Sequence, residues 1–263
     1  MRNLIVILSA GATLLLSGAA QAHTSYILPS YFNTTRGELV TLQSAFTEAF
    51  FAPEIAVNAA DFHVLGPDGA RDEIDDVSTH SQLVLMEEAL DEDGTYRFTT
   101  GVRRGRISKR VLVEGEWRSI FSDAEIPADA AEIVTRQTET VAEAYVSKGA
   151  PNWAAAERTI GLLAFAPETH PSEVYMDEGF EMRVYFDGAP LADHEISLYR
   201  GGGHYESPKF KQSAKTDKEG RVSFDFDAAG VYLVMTRRRA DAPPGAETDE
   251  RSYTTSLTFE VLR

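Results

Sequence analysis

The chain alternates between short apolar or β-branched runs and polar turns along most of its length. Turn sequences such as Gly66-Pro67-Asp68-Gly69 and Asp217-Lys218-Glu219-Gly220 separate these runs, and glycine, proline and aspartate favour tight turns. Many short strands between regular turns are typical of antiparallel sandwiches, whereas α/β proteins place long helical segments between their strands. The pattern therefore predicts an all-β protein.

The predicted strands fall into two groups. The first group comprises residues 39–45, 61–65, 82–86, 95–99, 107–113 and 117–121. The second group comprises residues 181–186, 195–199, 221–224, 230–234 and 256–261. The second group has the size and spacing of an immunoglobulin-like or transthyretin-like module. We therefore expect two β-sandwich domains, an N-terminal one over residues 23–125 and a C-terminal one over residues 158–263.

The segment between the two groups has a different composition. An alanine-rich start at residues 128–131 favours a short helix, and Gly149-Ala150-Pro151 is a stop signal. The β-branched and aromatic residues between them favour helix and strand about equally. Because the segment is too apolar for a free linker, we predict that residues 126–157 form a packed connector.

The first 22 residues match a secretory signal peptide. Arg2 supplies a positive charge, residues 4–16 are mostly apolar, and Ala20-Gln21-Ala22 is a small-residue cleavage site. No later stretch approaches the roughly 18 consecutive apolar residues that a membrane-spanning helix needs. We therefore expect export to the periplasm, removal of residues 1–22, and a mature protein without a membrane span.

The charge and the lack of cysteine exclude several classes of function. The formal net charge is −16, which disfavours nucleic acid as a partner. With no cysteine in the chain, disulfides and thiolate metal sites are excluded, so any metal must be held by histidine, carboxylate, methionine or backbone groups. One basic run, Arg237-Arg238-Arg239, stands out, and it fits either a salt-bridge patch or a docking point for an acidic partner.

The predicted cleavage would leave His23 as the first residue of the mature protein. A terminal histidine offers two nitrogens, the α-amine and the imidazole Nδ1, which together close one chelate ring on a metal ion. The alternative is that histidine merely happens to follow the cleavage site. The six histidines show no metal-binding spacing such as His-Glu-x-x-His, so a site would have to be assembled by the fold. His204 is a further candidate, because Gly201-Gly202-Gly203 lets the backbone approach a ligand closely.

Several motifs together resemble a known family. They are Ala22-His23, Leu28-Pro29-Ser30, Gly149-Ala150-Pro151, Thr169-His170-Pro171, Phe186-Asp187-Gly188-Ala189-Pro190-Leu191, Thr216-Asp217-Lys218-Glu219-Gly220-Arg221-Val222 and residues 255–261. In this order they resemble a domain-of-unknown-function family of exported bacterial proteins that is described as the periplasmic component of cobalt or nickel uptake systems. Members similar to this chain are often associated with TonB-dependent receptors. The resemblance covers essentially all of the chain after residue 22.

The resemblance implies a metal site and suggests some of its ligands. His23 matches the histidine that follows the signal peptide in the family. Nickel-associated members carry a second histidine after a Phe-Thr pair, whereas here Phe46-Thr47 is followed by Glu48, which keeps a donor but favours harder metals. His170 matches the Thr-His-Pro segment of receptor-associated members. The candidate metal ligands are therefore His23, Glu48, His170 and His204, and we expect them near the domain junction.

The predicted function is that of a non-enzymatic, metal-ion-binding accessory protein of a transition-metal uptake system. The cargo would be a divalent nickel, cobalt, iron or copper ion or its chelate, and the partner a TonB-dependent receptor or an inner-membrane transporter. Two alternatives stay open. One is a histidine-brace copper enzyme, although we expect Trp117 and Trp153 to be packed and therefore to form no exposed aromatic platform for a polymer. The other is a structural or interaction module without a ligand.

Overall fold

Strands account for nearly all the regular structure in residues 23–120, 126–202, 205 and 210–263, which are the residues that the computed structural model describes. The prediction of an all-β protein built from sandwiched sheets is confirmed. The predicted signal peptide, residues 1–22, lies outside the described residues. Within them, no helix is both long and apolar enough to cross a membrane, and a short 3₁₀ helix lies at Ala154–Ala156.

The strands are numbered in chain order. Those before the longest strand are β1 (Thr24–Pro29), β2 (Asn33–Thr34), β3 (Leu39–Thr47), β4 (Ile55–Ala56), β5 (His63–Leu65), β6 (Arg71–Glu73), β7 (Asp76–Thr79), β8 (Val84–Ala89), β9 (Gly94–Thr99), β10 (Arg103–Arg104), β11 (Ser108–Val113) and β12 (Glu116–Ile120). The remaining strands are β13 (Glu132–Lys148), β14 (Leu163–Pro167), β15 (Val174–Tyr175), β16 (Phe180–Phe186), β17 (Ala189–Pro190), β18 (Glu195–Arg200), β19 (Lys211–Lys215), β20 (Arg221–Phe224), β21 (Gly230–Asp241) and β22 (Glu250–Leu262).

The largest sheet runs through both halves of the chain. Its main order is β19-β18-β21-β22-β13-β9-β5-β6, and β2, β10, β11, β12 and β15 pair beside this path. A second sheet has the order β1-β3-β8-β7, with β4 paired to β3. A third has the order β14-β16-β17, with β20 paired to β16. The two smaller sheets each form a sandwich with a different part of the largest one.

The first core lies between the β1-β3-β8-β7 sheet and the β5, β9 and β13 part of the largest sheet. Strand β3 contributes Val40 and Leu42, β8 contributes Val84 and Met86, and β9 contributes Phe98 from the opposite layer. These residues are spaced by two along each strand, because successive side chains of a strand point to opposite faces. The predicted strands 39–45, 82–86 and 95–99 therefore have the inward and outward faces that a sandwich needs.

The second core lies between the β14-β16-β17 sheet and the β18, β21 and β22 part of the largest sheet. The rings of Phe180 on β16 and Phe259 on β22 stack with their centroids 4.6 Å apart. Both side chains are fully buried. Strands β21 and β22 extend further than the sequence predicted, since they pair in register from Gly230 with Val261 to Asp241 with Glu250.

The segment predicted as a packed connector contains the longest strand of the described chain. Strand β13 pairs antiparallel with β9 and parallel with β22. Its Ala142, Ala144 and Val146 enter the first core, whereas Tyr145 enters the second. The two sandwiches are therefore joined through a shared strand.

The short helix expected at residues 128–131 is wrong. A turn stands there instead, in which the Ala130 N–H donates to the carbonyl of Pro127 at 3.1 Å, and β13 begins at Glu132. Alanine favours helices only weakly, by fractions of a kcal/mol per residue. Pairing of the following residues with β11 and β22 overrides that preference.

The hairpin predicted around Glu114-Gly115-Glu116 is confirmed. Strands β11 and β12 pair antiparallel, with Val113 opposite Glu116. The two turn residues, Glu114 and Gly115, have φ angles of 51° and 82°, as a two-residue hairpin turn of type I′ requires. Because β11 also pairs with β13, the hairpin extends the largest sheet next to the candidate site.

Candidate functional site

His23 immediately precedes β1, beside the end of β3. Thr24 pairs with Thr47 in the antiparallel β1–β3 register. His23, which precedes Thr24, and Glu48, which follows Thr47, therefore face each other. The distance from His23 Nδ1 to Glu48 Oε1 is 3.9 Å. The structure therefore brings together two of the residues that the sequence singled out.

Glu54 completes this group, although the sequence did not indicate it. Strands β3 and β4 pair with Phe46 opposite Ile55, which brings the two ends of the intervening loop together. Glu54 Oε2 lies 2.9 Å from His23 Nε2. Its other oxygen, Oε1, accepts hydrogen bonds from the Glu48 N–H at 2.9 Å and the Thr47 hydroxyl at 3.0 Å.

These hydrogen bonds determine the charge on Glu54 and the orientation of His23. The bond from the Glu48 N–H, with smaller contributions from Thr47 and His23, lowers the pKa of the Glu54 carboxyl even though partial burial opposes the shift. An ionised Glu54 accepts a hydrogen bond from the His23 Nε2–H, and in the neutral tautomer that makes this bond Nδ1 is the unprotonated nitrogen. Nδ1 is the nitrogen that a terminal amine needs as its partner in a chelate ring.

Aromatic packing anchors the loop that carries the two glutamates. The ring centroid of Phe51 lies 5.1 Å from that of Tyr26 on β1, and that of Phe50 lies 5.3 Å from that of Tyr199 on β18. Edge-to-face and tilted contacts at these distances are favourable. The loop therefore holds Glu48 and Glu54 against a packed surface, while His23 and both carboxylates stay about two-fifths exposed.

His170 lies in a different environment, at the contact between the two sandwiches. Its Nε2 is 2.9 Å from the Asn152 carbonyl and 3.2 Å from the Thr95 hydroxyl. Its Nδ1 accepts a hydrogen bond from the Ser172 N–H at 3.1 Å. Both ring nitrogens are thus engaged, and burial lowers the pKa of the imidazole, so His170 is a neutral residue that links the two halves of the chain.

The structure does not bring His170 together with His23 and Glu48. Among residues 23–120, 126–202, 205 and 210–263, no group of three or more His, Cys, Asp and Glu side chains is arranged to hold an ion. The reason at His23 is that Glu48 and Glu54 face different ring nitrogens. His204, the fourth candidate ligand, lies outside the described residues.

His23 also lines a cavity of about 360 Å³. Arginines surround this cavity, although the protein as a whole is strongly acidic. They are Arg103, Arg110, Arg136, Arg237 and Arg239. No carboxylate belongs to the described lining of this cavity, which we call the arginine cavity.

The two tryptophans are more exposed than the sequence led us to expect. Trp117 is 40% exposed and Trp153 is 44% exposed, so the expectation that both are packed is wrong. Trp117 lines the arginine cavity, where the guanidinium of Arg110 lies 4.6 Å from its ring centroid. Trp153 meets His170 edge-on, with ring centroids 4.9 Å apart.

Sequence reasoning missed Glu54 and most of the arginine cavity. The run Arg237-Arg238-Arg239 is visible in the sequence, and the alternation of side chains along a strand predicts that Arg237 and Arg239 share a face. No local pattern marks Arg103 or Arg136, because the pairing of distant strands brings them to the same place. Glu54 likewise depends on how the β3–β4 loop closes.

Comparisons with known proteins give a family but no function. A family model described as Domain of unknown function (DUF4198) matches residues 20–240. No curated protein matches the chain.

Solved structures give only distant similarities. The chain is 10% identical to a DUF4785 family protein from Legionella pneumophila, with a TM-score of 0.25, covering 80% of this chain and 50% of that one. It is 12% identical to trypsin-activated alpha-2-macroglobulin from Escherichia coli, with a TM-score of 0.25, covering 90% of this chain and 15% of that one. For the D0-D1 domain of intimin the identity is 10%, the TM-score 0.22, and the coverage 89% and 96%. The chain thus spans half or less of the first two proteins, and similarities at this level do not extend to function.

Proposed function

We propose a function for this chain, which belongs to the DUF4198 family of domains of unknown function. In this proposal it is an exported metal-binding accessory protein of a transition-metal uptake system. The observation that carries the proposal is the pairing of His23 with Glu48 on one ring nitrogen and with Glu54 on the other. In this proposal residues 1–22 are removed during export, and His23 becomes the terminal residue.

The distance between His23 and Glu48 supports a shared ion. Metal–nitrogen and metal–oxygen bonds are each about 2.0–2.2 Å long, so two ligand atoms of one ion lie up to about 4.4 Å apart. The 3.9 Å between Nδ1 and Oε1 is too long for a hydrogen bond and lies within that range. The protein would then supply three donors, namely the terminal amine, Nδ1 and Glu48.

Glu54 supports the same reading as the partner of the non-ligating ring nitrogen. Histidines that bind metals usually donate their other N–H to a carboxylate or carbonyl group, which fixes the tautomer and the orientation of the ring. Glu54 Oε2 lies 2.9 Å from Nε2, and two further hydrogen bonds hold this carboxylate in place.

The proposed ligand atoms also indicate which metal ions the protein would carry. Two nitrogens and a carboxylate without thiolate suit divalent nickel, cobalt, iron or copper, and affinity should rise along the series to copper. Three donors leave coordination positions open, as reversible delivery to a partner requires. That partner would be a TonB-dependent receptor or an inner-membrane transporter, and the protein itself would catalyse no reaction.

The terminal chelate can be tested by comparing two forms of the protein. We expect the form beginning at His23 to bind Ni²⁺ and Cu²⁺ much more tightly, by calorimetric titration, than a form that retains Met before His23, because only the first has the free amine at that residue. His23→Ala should lose the same affinity. His80→Ala is the matched control, since His80 is an exposed histidine on another loop. Equal affinity of the processed and extended forms would remove the chelate from the proposal.

A second candidate function is a histidine-brace copper enzyme. It is favoured by one observation, that the exposed side chain of Trp117 and the side chain of His23 line the same cavity. An oxidative enzyme needs a metal with an open position and an accessible surface for its substrate, and an exposed aromatic ring is compatible with this.

A further inference from the structure

The strand register builds the arginine cavity from rows of side chains on one face of the largest sheet. Arg237 on β21 lies opposite Thr254 on β22, Thr254 lies opposite Thr140 on β13, and Thr140 lies opposite Arg103 on β10. Residues opposite each other in a sheet point to the same face. One row across four strands therefore presents two guanidiniums with two hydroxyls between them.

The neighbouring row repeats this chemistry. Arg239 lies opposite Ser252, and Ser252 lies opposite Thr138. All three residues line the cavity. One step further along β13, Arg136 joins them, and Arg110 approaches from the β11–β12 hairpin. The cavity is thus lined by repeated arginine and hydroxyl groups rather than by a single basic run.

Most of these arginines lack an acidic partner. Arg110 pairs with Glu250 at 3.2 Å. In the part of the chain that the structure describes, no other arginine of the cavity has a carboxylate within 4 Å, although Arg237 donates to the Thr254 hydroxyl at 2.9 Å. Like charges held close together are unfavourable, and more so where they are half-buried, as Arg136 and Arg237 are. The free protein therefore carries a concentration of positive charge that its own side chains do not neutralise.

The pKa values of two of these guanidiniums, those of Arg136 and Arg237, are lowered in this environment. Burial lowers the pKa of Arg136, and the nearby charges of Arg239 and Arg110 lower it further, while Glu250 opposes the shift. Burial and the charges of Arg239 and Arg136 do the same to Arg237. Arginine stays protonated in proteins regardless, so the repulsion persists until an anion enters.

Two polar atoms in the cavity lining have no hydrogen-bond partner among the described residues. They are Arg136 Nε and Thr140 Oγ1. Thr140 is only 8% exposed, and buried polar groups almost always have partners in folded proteins. A guanidinium N–H is a donor, and a hydroxyl can donate as well. The missing partner should therefore be a group rich in hydrogen-bond acceptors.

We propose that the arginine cavity is a binding site for a small multivalent oxyanion, one that carries two or more negative charges on carboxylate or phosphate groups. Planar guanidiniums match both groups through paired hydrogen bonds. A volume of about 360 Å³ suits a ligand on the order of ten non-hydrogen atoms, since one water molecule takes about 30 Å³. The site lies within a protein whose overall negative charge would otherwise repel such an anion.

The position of His23 gives this anion a role, and that role rests on the proposed function. His23 lines the same cavity, so an anion held by Arg103 and Arg237 would lie beside the terminal chelate. It would be the chelator of the cargo ion, and its carboxylates would fill the coordination positions that His23 and Glu48 leave open. The metal would then arrive as an anionic complex rather than as a free ion.

Calorimetric titration of the processed protein with citrate, inorganic phosphate and acetate tests the site itself. We expect citrate and phosphate to bind more tightly than acetate, because acetate carries only one negative charge. Tighter binding of citrate would identify carboxylates as the ligand class, and tighter binding of phosphate would identify phosphates. Binding of neither citrate nor phosphate at millimolar concentration to the folded protein would overturn the inference.

Variants locate the binding within the cavity. Arg237→Gln and Arg136→Gln should each weaken binding at least about ten-fold, as expected for loss of a charged hydrogen bond, and Thr140→Val should weaken it less. Arg118→Gln is the control, because Arg118 lies on β12 and its side chain is 54% exposed. Melting temperatures check that the variants fold, since replacing a half-buried arginine that has no acidic partner should leave the free protein equally stable or more stable. If Arg118→Gln weakened anion binding equally, the anion would not be bound in the arginine cavity.

Titration with citrate in the presence and absence of Ni²⁺ separates this inference from the proposed function. If the anion is the chelator, Ni²⁺ should increase the affinity for citrate in the processed protein but not in His23→Ala. Citrate binding that is the same with and without Ni²⁺ keeps the anion site and removes the chelator role. If the processed protein binds citrate but no metal at all, the proposed function fails while the anion site stands.

Discussion

His23 and Glu54 are joined through Nε2 and Oε2 at 2.9 Å, and this contact leaves Nδ1 of the same ring facing Glu48. The contact is itself supported from the strand, because Glu54 Oε1 accepts hydrogen bonds from Thr47 and the Glu48 backbone. A single carboxylate thus ties the histidine to the β3–β4 loop. At the proposed metal site, Glu54 would act only through the ring that it orients.

Glu54→Ala should weaken metal binding by about 10- to 100-fold, the usual effect of removing the partner of a ligating histidine. Glu54→Gln should weaken it less, since the amide oxygen still accepts a hydrogen bond from Nε2–H. Calorimetric titration of the processed protein with Cu²⁺ measures both effects. Glu219→Ala, at an exposed turn far along the chain, is the control, and a loss as large in this variant would rule out a specific role for Glu54.

Local pattern was sufficient for the turns and for the apolar parts of the strands. Gly69 ends the predicted turn with a φ of 77°, and its N–H donates to the Gly66 carbonyl at 2.8 Å, as glycine at such a position indicates. The local pattern was insufficient to predict the polar ends of β21 and β22. There the side chains of Arg237 and Thr254 line a cavity, so the strand continues without the apolar alternation that marks a sandwich core.

The candidate site could be predicted only in part, for a related reason. His23 and Glu48 were indicated by the cleavage site and by the family resemblance, and β1–β3 pairing brings them together. His170 was indicated by the same resemblance, but its contacts with Asn152 and Thr95 hold it between the sandwiches. Which distant side chains meet is decided by strand register, and register depends on long-range packing that single motifs do not reveal.

A buried ion pair between Arg97 and Glu143 should be important for stability. The two side chains are 1% and 2% exposed, and Arg97 also donates to the carbonyl groups of Ala155 and Arg158. Arg97→Met would leave Glu143 buried without its partner, which typically costs about 3–5 kcal/mol. We expect a clearly lower urea midpoint in equilibrium unfolding.

The double variant Arg97→Met/Glu143→Leu distinguishes loss of the pair from loss of packing. Replacing both buried charges by apolar residues is often neutral, so the double variant should recover much of the midpoint. A double variant as unstable as Arg97→Met alone would show that the contacts with Ala155 and Arg158, rather than the charge on Glu143, dominate.

His170 should make stability fall at mildly acidic pH. Burial lowers its pKa in the folded protein, whereas an unfolded histidine has a pKa of about 6.5. Above pH 6.5 both states are neutral at this residue. As the pH falls below about 6.5 toward the folded pKa, the unfolded state binds the extra proton, and the unfolding free energy falls by up to about 1.4 kcal/mol per pH unit.

His170→Asn should therefore flatten the pH dependence of the unfolding free energy below pH 6.5, although it lowers stability at neutral pH through lost hydrogen bonds. His63, whose pKa is also lowered by burial, keeps its own contribution in this variant. Urea unfolding at several pH values between about 5 and 8 measures the slope. If the slope is the same in wild type and variant, His170 is not the titrating group.

The last prediction separates a carrier from a copper enzyme. Both would use His23, and the exposed Trp117 beside it removes the argument that the surface lacks an aromatic ring. The cavity lining still favours a carrier, because five arginines attract an anion, whereas neutral polysaccharides offer no charge to recognise.

We expect the copper-loaded, processed protein to show no ascorbate-driven cleavage of polysaccharides above that of free copper, measured by release of oxidised oligosaccharides. Deletion of the gene should slow growth when nickel, cobalt, iron or copper is limiting. Robust cleavage that disappears in His23→Ala would establish the enzyme instead, and normal growth of the deletion strain under every limitation would favour an interaction module without a metal.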